Sequence, residues 1–190
     1  MNFGFTEEQE LLRKTARDFL AEHAAMKRVR EIMEGPETHC AQLWGRMADL
    51  GWLGLALPES CGGAGLTMIE LGIVLEELGR CLAPVPFLPT AIAATAVLEA
   101  GDESQKQDWL ARIAAGQTRA TLAITEERGT EQPGDIELTA RRSSDGWQLD
   151  GRKLFVPDAR IADLLVVVAR TGGEGLGLFL VPRDTPGLSI

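Results

Sequence analysis

Residues 122–170 read LAITEERGTEQPGDIELTARRSSDGWQLDGRKLFVPDARIADLLVVVAR, and the rhythm of apolar and turn-forming residues along them decides the architecture of the second half of the chain. Short β-branched and apolar runs alternate with turn signals. The spacing predicts strands over residues 120–125, 136–141, 147–150, 153–156, 164–169 and 176–181, separated by SSDG, DG and TGGEG, which read as turns. The runs are too short for helices. Their brief connections favour an antiparallel sheet or barrel over parallel units, which need long crossovers. Sheet character continues to the last residues, TPGLSI. An uncovered final strand would leave an unpaired edge, so the reading is of a truncated or split β-domain.

Working outward toward the N-terminus, the period changes. Between Thr6 and about Gln117 apolar residues recur at helical spacing. Thr6 and Gln9 form a capping box for a helix that starts near Glu7 and presents Leu12, Ala16, Phe19 and Leu20 on one face. A second helix carries Leu43, Trp44, Met47 and Leu50, with Gly51 placed for a left-handed C-terminal cap. A third opens at Thr67, carries Leu71, Val74, Leu75 and Leu78, and stops near Gly79. Pro84, Pro86 and Pro89 precede an alanine-rich helix ending near Gly101, and Asp102 or Ser104 caps a last helix with Trp109, Leu110 and Ile113 that stops at Gly116. The expected class is therefore α+β: an N-terminal α-helical domain, residues 1–117, followed by an antiparallel, barrel-like β-domain, residues 118–190.

Composition narrows the range of functions. The chain has 190 residues, 45% hydrophobic and 25% charged, enough for a core of ordinary size. With 19 basic and 28 acidic residues the net charge is −9. Such a field repels phosphate, which argues against nucleic acid and anionic membranes as partners. Cys40, Cys61 and Cys81 have neither zinc-ligand spacing nor a disulfide framework, so reduced thiols are expected. The N-terminus lacks the pattern of a signal peptide, and no apolar run is long enough to span a bilayer. A cytoplasmic location is expected. His23 and His39 have no Ser or Cys triad partner and read as solvated surface groups on helical segments; TGGEG lacks phosphate-loop spacing and reads as a hairpin turn.

Three stretches carry more specific information. LGWLGLALPESCGGAGL, residues 50–66, concentrates glycines in a turn between helices, where they allow close backbone approach. EELGRCLAPVPFLPT, residues 76–90, bends at its prolines, and GRKLFVPDA, residues 151–159, sets an aromatic residue two positions before a proline. Together with LAITEERGTEQPGD, residues 122–135, they resemble the acyl-CoA dehydrogenase family over nearly the whole chain. The first match concerns the fold more than the chemistry. The second resembles the branch of the family that acts on bulky acyl-CoAs, steroid and dicarboxylic ones included. In that branch the small side chains from Ala91 to Ala96 would leave room for a wide acyl group; close packing through alanines explains them equally well.

The resemblance implies FAD as cofactor and an acyl-CoA thioester as substrate. It implies a flavin-facing wall made of Leu122, Ile124, Thr125, Phe155 and Val156, in which Thr125 supplies a hydroxyl and Phe155 packs against the ring. Family members take the α-proton with a Glu of a C-terminal helical bundle, beyond the matched stretches, so no catalytic residue is nominated and no metal is implied. Two places depart from the family pattern. Pro157 stands where a residue donates to flavin N5, and it has no N–H or hydroxyl. Thr130, Glu131 and Gln132 replace a Ser-containing triplet at the pyrophosphate. Glu126, Glu127 and Glu131 are expected to weaken phosphate binding, since like charges at 4 Å repel by about 1 kcal/mol in water and more when partly buried. Two readings follow: a flavin-linked acyl-CoA dehydrogenase subunit, or a catalytically silent partner subunit of a heteromeric one. Either implies homo- or hetero-oligomers with acyl-CoA dehydrogenase-like subunits.

Overall fold

The computed structural model describes residues 4–144, 146–172 and 175–190. Six α-helices come first: α1 (Glu7–His23), α2 (Met26–Glu34), α3 (Ala41–Asp49), α4 (Met68–Arg80), α5 (Phe87–Ala100) and α6 (Glu103–Ala114). Five strands follow: β1 (Ala120–Ala123), β2 (Thr139–Ser143), β3 (Gly146–Asp150), β4 (Leu164–Arg170) and β5 (Leu176–Pro182).

Local chemistry explains several helix boundaries. Reciprocal capping boxes start α1 at Thr6–Gln9, α4 at Thr67–Glu70 and α6 at Asp102–Gln105, each satisfying two backbone donors that the first turn leaves unpaired. Gly51 follows α3 with φ of 72°, the left-handed conformation that a side chain resists. The glycine-rich turn folds back on residues 54–57, with Ala64 N–H donating to Gly54 O and Gly65 N–H to Leu57 O, both at 2.9 Å. A Cβ on Gly63 would stand 2.1 Å from Leu57 O, so this close approach requires glycine. Helix α2 is an addition to the sequence reading. Nothing caps its N-terminus with a side chain, and it buries only Ile32.

The sheet departs from expectation in two ways. β2–β3 and β4–β5 are antiparallel, but β1 runs parallel to β4 from Ala120↔Leu164 to Ala123↔Val167, and β2 meets β4 in parallel at Thr139↔Arg170. The sheet is therefore mixed, because the segment from residue 124 to 163 carries the chain back to the starting end of β4. β5 occupies one edge of β4 and β1 the other, which makes β4 the central strand. Its LLVVVA run has no polar alternation because both faces are covered: Leu164 and Val166 join Leu110, Ile113 and Val97 from the helices, whereas Leu165, Val167 and Ala169 join Leu138 and Val181.

The second departure is the stretch 153–156, which is no strand. Gly151 at φ 145° and Phe155 at φ 51° take it out of extended geometry, and Pro157 has no ladder donor to offer. Residues 183–190 likewise carry turns and no strand. The turns expected at SSDG and TGGEG include Asp145, Gly173 and Glu174, which lie outside the described residues.

Helices and sheet meet in one of three buried clusters, where α5 and α6 pack on β1 and β4. Thr90 of α5, almost fully buried, donates its hydroxyl to Ala120 O and accepts from Ala120 N–H, both at 3.1 Å. Among the described residues no helix is long and apolar enough to cross a membrane.

Candidate functional site

The end of β1 and the loop at residues 151–158 lie side by side, and their contacts are polar. Leu154 N–H donates to Thr125 O at 2.8 Å. The Lys153 ammonium donates to Ile124 O at 3.0 Å and to a Glu126 carboxylate oxygen at 2.6 Å. Glu126 in turn accepts the N–H groups of Glu137 at 2.7 Å and Leu138 at 3.0 Å. At the other end of the loop the Thr121 hydroxyl donates to Pro157 O at 2.7 Å.

Glu126 is accordingly a structural residue. Burial raises its pKa, but Lys153 and the two backbone donors outweigh this and hold it below the ordinary carboxylate range. Its charge is neutralised inside the fold, so the expectation that it repels a phosphate is corrected. Glu127 and Glu131 are exposed. Arg128 pairs with Asp135 and Glu137, and the Thr130 hydroxyl donates to Asp135 at 2.6 Å.

The structure places the five sequence-derived wall residues unequally. Phe155 and Val156 line an open cleft of about 1540 Å³ whose floor includes Ala123, Leu138, Val167 and Val181. Phe155 is 87% exposed, with its ring available to a ligand. Ile124 and Thr125 are half-buried; both carbonyls are used internally, whereas the Thr125 hydroxyl has no hydrogen-bond partner among the described residues. Leu122 points to the other face of β1, against the cluster of Leu110 and Ile113, as the alternation of a strand requires.

A flavin ring offered to this corner would find an apolar platform in Phe155 and Val156 and a free hydroxyl in Thr125. At Pro157 it would find no donor. The residues fit the ring face, and position 157 adds nothing at its polar edge.

Charged groups gather behind the loop. Arg119 grips Asp163 through Nε and Nη2 at 2.9 and 2.8 Å, and its Nη1 lies 3.3 Å from His39 Nε2. His39 is thus half-buried between helices and not a solvated helical residue. Burial and then Arg119 lower its pKa, which keeps the ring neutral and able to accept. Burial raises the pKa of Asp158, the residue after Pro157. His23 is also half-buried, edge-on to Phe19 at 4.5 Å and 2.9 Å from Arg46 Nη1. Among the described residues no group of His, Cys, Asp or Glu is placed to hold a metal ion, and all three cysteines are free. Ala93 and Ala94 are buried in the cluster shared with the sheet, where they serve close packing.

Comparison with known proteins meets this architecture at both ends. The family model for the acyl-CoA dehydrogenase N-terminal domain matches residues 6–117, and that for the middle domain matches residues 121–190. The chain belongs to the acyl-CoA dehydrogenase family. It is 34% identical to the acyl-CoA dehydrogenase FadE12 of Mycobacterium tuberculosis, an alignment covering 99% of this chain and 50% of that protein. Among solved structures it is similar to a variant of the Tcur3481-Tcur3483 steroid ACAD, with a TM-score of 0.86 and 40% identity over 96% of this chain and 50% of that one. It is similar also to the ChsE4-ChsE5 complex from Mycobacterium tuberculosis, with a TM-score of 0.89 and 29% identity over 100% of this chain and 50% of that one. The chain thus spans about half the length of the family members it matches.

Proposed function

We propose that this chain is one subunit of a flavin-linked acyl-CoA dehydrogenase assembly acting on a bulky, steroid-type acyl-CoA thioester. The observation that carries the reading is Phe155, an exposed aromatic ring held in a left-handed turn beside the end of β1. Standing at an open cleft beside Val156, the ring offers a ligand an apolar contact surface. In this reading Phe155 and Val156 meet the isoalloxazine face, Thr125 offers its hydroxyl, and Leu122 and Ile124 support the wall from behind. The chemistry that FAD supplies when bound is acceptance of the β-hydride. The α-proton acceptor comes from outside the residues named here, and the division between the helical and middle domains is placed near residues 117 and 118. The width of the acyl group rests on similarity to a protein described as a steroid ACAD. Soluble oxidoreductase chemistry in the cytoplasm is the expected setting.

One observation favours a second reading, a catalytically silent subunit within a heteromer. Pro157 lacks an N–H, and its carbonyl is already taken by Thr121. Similarity to a protein described as a ChsE4-ChsE5 complex agrees with a mixed assembly.

The test is FAD titration of the chain alone and after co-purification with an acyl-CoA dehydrogenase-like subunit, followed by flavin fluorescence. Loss of apolar contact in Phe155→Ala should weaken binding by about 1 to 3 kcal/mol, roughly 5- to 150-fold. In the silent case binding starts weak, and Pro157→Thr with Glu131→Ser should raise it. No change in any variant, with the fold intact by circular dichroism, would overturn both readings.

A further inference from the structure

Lys153 and Glu126 form an ion pair at 2.6 Å with side chains only 6% and 9% exposed. Burial of this kind is a poor device for stability alone. Desolvating both charges is costly, and an apolar replacement of similar volume is often as stable. The pair does something that an apolar contact would not: it fixes three separate segments in one geometry. The ammonium takes Ile124 O at the end of β1, and the carboxylate takes the N–H groups of Glu137 and Leu138 just before β2. Lys153 itself belongs to the loop that carries Phe155.

That loop has a second anchor. The Thr121 hydroxyl, fully buried on β1, holds Pro157 O at 2.7 Å. Between the anchors stands Phe155 at φ 51°. A bulky residue in the left-handed region is strained and persists only where its surroundings over-determine it. Its own ring contributes little to holding it there, being 87% exposed. The constraint must come from its tied-down neighbours: Leu154, whose N–H donates to Thr125 O at 2.8 Å, and Lys153 and Pro157, whose ties are made by the side chains of Lys153 and Thr121.

We propose that the Lys153–Glu126 pair and the Thr121–Pro157 hydrogen bond act as a two-point clamp that presents the Phe155 ring to the flavin. Lys153, Glu126 and Thr121 are positioning residues: their polar groups are spent on protein partners. The proposal rests on the flavin reading for the identity of the ligand. The clamp itself can be judged without it.

The experiment places 4-fluorophenylalanine at position 155 of the full chain and records its ¹⁹F resonance, with and without FAD. In the ligand-free chain Lys153→Met, and separately Thr121→Val, should shift and broaden this resonance while circular dichroism keeps the helical signal. FAD affinity should fall about tenfold or more in each. Thr121→Val removes one neutral hydrogen bond at nearly constant volume, so it decides the matter if Lys153→Met does not fold. An unaltered resonance in the folded variants would overturn the clamp. If FAD leaves the unsubstituted chain's resonance unmoved, the flavin reading falls, and the ligand-free spectra of the variants still judge the clamp.

Discussion

Glu77 in the helical half and Glu126 in the sheet half are both buried, yet they are neutralised in opposite ways. Glu77 of α4 receives Arg17 at 2.6 Å and Arg80 at 2.7 Å, and both guanidinium groups are about half exposed. Glu126 receives Lys153, itself buried, together with two backbone N–H groups. In the helical half the charge reaches the protein surface through its partners, so the pair stitches α1 to α4 from outside. In the sheet half the charge is enclosed, and every group it touches must keep its place. The first arrangement tolerates movement; the second specifies a geometry, and Phe155 sits on it.

The largest expected effect breaks the enclosed arrangement. Glu126→Gln strands the Lys153 ammonium in a buried site, and removing one partner of such a pair costs about 3 to 5 kcal/mol; the remaining amide oxygen keeps the loss near the lower figure. Urea unfolding measures it, and a loss below about 1 kcal/mol would show that the pair is effectively solvated.

Glu77→Gln should cost less, about 1 to 3 kcal/mol, because water can take over Arg17 and Arg80. Acid provides a second view of the same residue. Hydrogen bonds from Arg17, then Arg80, against the opposing effect of burial, hold the Glu77 pKa at about 2 from an ordinary 4.5. A depressed carboxylate stabilises the fold above its unfolded pKa, and that stability drains away as pH falls from about 4.5 toward 2. Wild-type stability should therefore drop more steeply than that of Glu77→Gln across this window. Parallel acid titration curves would refute the assignment.

The smallest effect belongs to Phe155→Ala. A ring exposed to 87% contributes little to the core, and the expected change in stability is within about 0.5 kcal/mol. If thermal unfolding shows a much larger loss, Phe155 is packing in solution and its availability as a contact surface is lost.

The same contrast governs what could be read from sequence. Capping boxes at Thr6, Thr67 and Asp102 are three-residue signals, and the stripes they open are local, so those helices were legible to within a residue or two. Helix α2 carries no such side-chain cap and was missed. In the sheet half the strands β1 and β3–β5 were visible as apolar runs, but β2 was placed a few residues early. The antiparallel pairings β2–β3 and β4–β5 follow from the turn signals between those strands, whereas the parallel β1–β4 contact joins segments that no local pattern connects. Residues 153–156 satisfy apolar strand composition while Gly151 and Phe155 take positive φ. The wall residues were nominated by resemblance; that Leu122 faces away from Phe155 follows from strand alternation, a detail that resemblance passes over. Glu126 was read as a charge without its counter-ion, since Lys153 lies 27 residues on. A lysine on one strand-like run and a glutamate at the end of another was the only available sign.

The parallel pairing of β1 with β4 also sets an order of events during folding. β4 and β5 form a hairpin, which can close on the microsecond scale. β1 has to find β4 across roughly forty intervening residues, so the entropy of closing that loop must be met before the contact gives anything back. The turn carrying Phe155 lies wholly within this slow loop. It is expected to take its final shape late, after the strands on either side have come together.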